Sequence, residues 1–262
     1  MGSLRKLRRG QGPLDMSRTR VKGGLTSQPY LYRFLETALG KPVDSREAAE
    51  TQANFFRLLR ETYKPTISLD ELRVIWDRIA SSGWNRTIPR SLSIKDICLI
   101  RDNGCIKPND AVASLASGTA AVEAFIAKNF VPNGHVTCVD ISSRMSAFAE
   151  QTKRLANAGN MSILTASATA TGLPSASQDK VISIRPTIYD TVHWQPFVRE
   201  ARRIIKETPD SKFILLFEVV KPENAGRILK SLEENGFKPE RQIVEGKMLG
   251  HEVIMVIAKP VH

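Results

Sequence analysis

Residues 112–120 read Val-Ala-Ser-Leu-Ala-Ser-Gly-Thr-Ala, and the fold is decided there. The apolar run 111–115 has the length of a buried strand, and small residues follow it. A helical pattern then runs over 118–130. Residues 135–140, His-Val-Thr-Cys-Val-Asp, form the next strand and close on a carboxylate. Strand, tight turn, helix, strand is the unit of a parallel sheet, because parallel neighbours need a long crossover. In open sheets of this kind, ligands bind outside the carboxyl ends of the strands where the strand order reverses. Gly118 opens the helix, so the backbone can approach a ligand beside free N–H groups. Asp140 can accept both hydroxyls of a ribose. Alone, Gly118 reads as a tight turn and Asp140 as a helix N-cap. Together, at this spacing, they point to a nucleoside-containing ligand.

The same alternation continues along the chain. Helices are expected over 93–103, 144–158, 194–206 and 223–235, and strands over 162–166, 180–184, 212–219, 241–245 and 252–258. Only a short loop with Gly246 and Gly250 separates the last two strands, so they must be antiparallel. The expected fold is α/β: a doubly wound, Rossmann-like sheet of seven strands with an antiparallel last hairpin. Upstream, Tyr30, Phe34, Leu35 and Leu39 mark one amphipathic helix. Asp44 with Glu47, and Ser68 with Glu71, resemble capping boxes that open two more. Leu69, Leu72, Ile75, Trp76 and Ile79 repeat at helical spacing up to Gly83. Three such helices bury little alone, so they are expected to pack on the sheet as a lid. The chain divides into a flexible basic tail (1–24), a helical extension (25–92) and a sheet domain (93–262).

Residues 93–258 resemble the class I S-adenosylmethionine-dependent methyltransferases, nearest to the ubiquinone/menaquinone C-methyltransferase-like branch. Residues 102–145 lie on that family's first motif and its acidic post-motif. Residues 172–184 look like its loop and fourth strand. Glu200, Arg203 and Lys206 match its Glu-x-x-Arg-Ile-Ile-Lys helix, which is specific in spacing and structural in role. The resemblance implies an S-adenosylmethionine cofactor, with Asp140 on its ribose and Ile141 and Met145 along the adenine side. Ser114, Ala116 and Gly118 stand at the first-motif positions, and Thr169 where the family often contacts the adenine amino group. Arg185, Tyr189, Asp190 and His193 sit at or beyond the fourth strand, near where an acceptor would lie. Arg185 is counted with the cofactor contacts, and Tyr189, Asp190 and His193 are the candidate bases. The implied activity is methyl transfer to a small molecule or to RNA.

Departures from the family pattern support an alternative. The first motif's acid is Ser114 here, its first glycine is Ala116 and its third is Ala120. Alanine for glycine costs little if φ is negative at those positions. Two lost hydrogen bonds of roughly 1 kcal/mol each would weaken the cofactor about 30-fold. The alternative is a methyltransferase-like protein that has lost the cofactor and serves as an RNA- or ribonucleoprotein-associated scaffold.

Composition narrows the remaining classes. The net charge of +11 is concentrated in residues 1–24, which hold seven Lys and Arg against one acid. That segment fits a basic arm on RNA or a mitochondrial transit peptide, with the cytoplasm as the expected compartment otherwise. Its charge says little about the pocket. Cys98, Cys105 and Cys138 form no Cys-x-x-Cys pair, so they read as buried free thiols of a reducing, intracellular compartment. No apolar run approaches the roughly 20 residues of a membrane span. No metal-ligand spacing and no phosphate-binding P-loop is present.

Overall fold

A computed structural model describes residues 28–39, 45–62, 64–83, 85, 90–187, 191–219, 222–248 and 251–261. The tail 1–24, the candidate cap Asp44, and the candidate bases Tyr189 and Asp190 lie outside the described residues. The extension supplies α1 (Gln28–Leu39), α2 (Ser45–Thr62) and α3 (Leu69–Ser81), and α4 (Arg90–Asn103) follows. The sheet domain continues with β1 (Ala111–Leu115), α5 (Ala121–Asn129), β2 (His135–Asp140), α6 (Ser143–Ala156), β3 (Met161–Thr165) and β4 (Lys180–Ile184). It ends with α7 (Trp194–Ile204), β5 (Lys212–Val219), α8 (Pro222–Glu234), β6 (Phe237–Met248) and β7 (His251–Pro260).

The seven strands are ordered β3-β2-β1-β4-β5-β7-β6. The first five are parallel, while β7 runs antiparallel to both β5 and β6. This is the expected doubly wound sheet with its closing hairpin. Val112, Cys138, Ile182, Ile214 and Leu216 pack beneath α1, α4, α5 and α6 on one face. Ala113, Val139, Val181, Phe213 and Leu215 pack beneath α7 and α8 on the other. Neighbouring residues of one strand thus serve opposite faces, and both faces are apolar. That is why these strands read as continuous apolar runs rather than alternating ones.

The extension packs on this body. Leu31, Phe34 and Leu35 of α1 are buried in the same core as Phe125 of α5, with the Phe34 and Phe125 rings edge-to-face at 5.1 Å. Leu58, Ile67, Leu72, Ile75 and Ile79 form a satellite cluster around Met145 of α6. The Ser68–Glu71 capping box is made in full at the start of α3. Gly83 follows that helix at φ 78°, a left-handed stop that glycine adopts without strain.

Candidate functional site

The strand order reverses between β1 and β4, and the turn after β1 is set there. Ala116, Gly118 and Ala120 all have positive φ, at 57°, 55° and 54°. The expectation that alanine is cheap at 116 and 120 therefore fails. Both sit in the left-handed region, where a Cβ costs roughly 1–2 kcal/mol. The helix α5 consequently starts at Ala121 rather than at Gly118, with Ala120 as an N-cap that offers no side-chain acceptor. The turn is held by Ser117, whose N–H donates to the Val139 carbonyl at 3.0 Å, and by the Ala120 N–H on the Ser117 carbonyl at 3.0 Å.

Asp140 faces this turn. Its Oδ2 accepts the Gly118 N–H at 2.8 Å, and its Oδ1 accepts the Ser142 N–H at 2.9 Å. Burial pushes this carboxyl up to about 6, against those two hydrogen bonds and with repulsion from Asp77. Each oxygen keeps acceptor capacity, as two vicinal hydroxyls require. Among the described residues, no atom beyond the chain neighbours lies within 4 Å of where a Cβ at Gly118 would stand, so the glycine faces open space there. The residues present fit a nucleoside cofactor at this point.

The other expected site residues are partly drawn elsewhere. Ser114 is fully buried, and its hydroxyl donates to Glu123 Oε1 at 2.8 Å. Ile141 is half-buried at the edge of the turn. Met145 is wholly buried in the satellite cluster of the extension. Thr169 shares a hydrogen bond with the Ser167 hydroxyl at 2.8 Å. Arg185, itself at φ 56°, is forked onto Asp96 of α4, with Nη2 at 2.7 Å and Nε at 3.3 Å. His193 Nε2 meets the Ile67 carbonyl at 2.6 Å, so that nitrogen carries the proton and donates it. The Glu200 carboxylate accepts from Thr171 and from the Arg203 fork, and Arg203 also reaches the Leu173 carbonyl. This helix motif therefore clamps the loop that follows β3.

Three acidic residues at the site were not expected. Glu123 is 3% exposed on α5, and its signal was a single acid in the apolar stretch 121–127. Asp96 had no comparable signal, because its partner Arg185 is 89 positions away. Asp77 of α3 accepts from the Ser142 hydroxyl at 2.6 Å and the Arg144 N–H at 3.2 Å. It thereby caps α6 from the extension, a contact only the tertiary structure creates. Of the three cysteines, Cys138 is buried, Cys98 half-buried and Cys105 exposed, so the reading of buried thiols holds for one of them.

The strand order and closing hairpin are those of the α/β methyltransferase fold. Residues 112–208 match the family model described as a methyltransferase domain. Solved structures with the same fold include an S-adenosylmethionine-dependent methyltransferase from Aquifex aeolicus, with TM-score 0.56 and 18% identity over 65% of this chain and 92% of that one. A geranyl diphosphate methyltransferase in complex with S-adenosylmethionine has TM-score 0.53 and 12% identity, over 71% of this chain and 90% of that one. A cyclase, SpnF, shares the fold as well, with TM-score 0.55 and 13% identity over 64% of this chain and 81% of that one. No curated protein matches the sequence.

Proposed function

We propose that the protein is an S-adenosylmethionine-dependent methyltransferase with a small-molecule acceptor. The observation that carries this reading is the meeting of Gly118 and Asp140 at the point where the strand order reverses. Asp140 would hold the ribose hydroxyls, and the open space above Gly118 would admit the cofactor. The cofactor supplies an activated methyl group, so the protein's task is alignment and exclusion of water. Ile141 and Thr169 flank the adenine side in this reading, with Arg185 just past the end of β4 as a further cofactor contact. His193 serves to fasten the extension rather than as a base through Nε2.

The small-molecule acceptor is favoured by how the extension is tied. The Val192 N–H donates to the Pro65 carbonyl at 2.9 Å, and His193 bonds to Ile67. At the other end of the same segment, Asp77 bonds to Ser142 beside Asp140. Residues 65–77 therefore strap the acceptor side to the ribose side, as a lid over a small ligand would. In this reading 25–92 is the lid and 93–262 the catalytic domain.

Calorimetric titration with S-adenosylmethionine tests the reading. Binding that is lost in Asp140→Ala supports it, and no heat at high micromolar cofactor with folded protein refutes it. The second reading, a scaffold associated with RNA through residues 1–24, is motivated by the left-handed alanines in the first motif. It requires RNA affinity whose salt dependence drops when 1–24 is deleted.

A further inference from the structure

The first motif lacks its acid at position 114, yet an acid is present at that place in space. Ser114 at the end of β1 donates its hydroxyl to Glu123 Oε1 at 2.8 Å, and both residues are buried. The pair joins the penultimate residue of β1 to the first turn of α5, so it links the two ends of the left-handed turn 116–120. Such a carboxylate is costly to keep in an apolar helix, because burial penalises its charge. Its neighbours Ala121, Val122, Ala124 and Phe125 are apolar and do not require it. Among the described residues no Lys or Arg forms an ion pair with Glu123, and its charged neighbours Asp96 and Asp140 are acids. A buried acid kept without a cation, next to a site read as taking a cationic cofactor, implies that the cation arrives with the ligand.

We propose that Glu123 replaces the missing acid at position 114, as a positioning residue that holds the turn through Ser114 and favours the positively charged amino-acid end of the cofactor. This rests on the S-adenosylmethionine reading above. Burial pushes the Glu123 carboxyl up to about 7, with Asp96 and Asp140 adding repulsion and the Ser114 hydroxyl opposing them. A bound cation therefore drives off a proton near neutral pH. The carboxyl of Asp140, at about 6, is already ionised in most molecules there.

The experiment compares two probes on the full-length protein: S-adenosylmethionine, and methylthioadenosine, which keeps the nucleoside but has neither positive charge. Each is titrated at pH 7 in two buffers of different ionisation enthalpy, which counts protons released. Glu123→Gln is expected to weaken S-adenosylmethionine about tenfold, to leave methylthioadenosine within twofold, and to abolish most of the proton release. Moving the acid back, with Ser114→Asp and Glu123→Thr together, is expected to restore affinity, and thermal unfolding verifies that each variant is folded. Equal losses for both probes, or no loss for either, overturn the role of Glu123 while the cofactor reading stands. Failure of the wild type to bind either probe overturns the cofactor reading itself, and this inference with it.

Discussion

Ala116 and Ala120 stand in left-handed backbone, so replacing them with glycine has a calculable effect. The penalty removed is roughly 1–2 kcal/mol at each position. Glycine costs about 0.4–1 kcal/mol in return, through the added freedom of the unfolded chain. The two sites then differ in what their methyl groups touch. Ala116 is only half-buried, so Ala116→Gly is expected to stabilise the protein by about 1 kcal/mol. Ala120 is 1% exposed in the core beside Phe125, and losing its methyl costs about 0.8 kcal/mol more. Ala120→Gly is therefore expected to be close to neutral. Urea denaturation with unchanged slope measures both, with Ala147→Gly on the exposed face of α6 as a control that loses about 1 kcal/mol. If Ala116→Gly destabilises as much as the control, position 116 is not left-handed and the account of the turn is wrong.

Four other outcomes follow from named contacts. Glu200 is held down to about 2 because hydrogen bonds from Arg203 and Thr171 outweigh its burial. Its contribution is present above the ordinary value of 4.5 and is lost as pH falls toward 2, so Glu200→Gln should remove about 3 kcal/mol at pH 7 and flatten the acid limb of a stability–pH curve. Glu123 has the opposite sign: its folded value lies above 4.5, so stability is lost as pH rises through about 7. Glu123→Gln should be the more stable protein at pH 8 by up to about 3 kcal/mol, with the gap closing below pH 4.5 in thermal melts. Lys180 is buried at the amino end of β4, paired with Asp110 at 3.2 Å and donating to the Asp210 carbonyl. Lys180→Ala should cost about 3–5 kcal/mol in chemical denaturation, because Asp110 is left buried without its partner. Ser142→Ala removes the N-cap of α6 and the anchor of Asp77, and should lower the unfolding free energy by about 0.5–2 kcal/mol while exposing 64–81 to limited proteolysis.

The strands were legible because both faces of the parallel sheet are covered, which writes an unbroken apolar run into the sequence. The strands at 111–115, 135–140, 180–184 and 212–219 match residue for residue. The hairpin strands are longer than their sequence pattern indicates. β6 starts at Phe237 and carries Pro239 at a register shift, a residue tolerated only where a strand is at the edge. Of the candidate site, the meeting of Gly118 with Asp140 is legible, because a small residue after one strand and an acid at the end of the next stand out in the sequence. Asp77, Asp96 and Glu123 are not, since their partners lie on other elements and local periodicity carries no information about them.

Local sequence pattern was enough to set the order and type of the elements, the closing hairpin, and the placement of a glycine and a carboxylate after the first two strands. These follow from burial on the sheet faces and from local turn chemistry. Packing set the left-handed conformations of two alanines, the hydrogen bond from Ser114 of β1 to Glu123 of α5, and the tie of the extension beside Asp140 through Asp77. Those depend on which side chains meet across the switch in strand order, and that meeting is set by packing rather than by any local pattern.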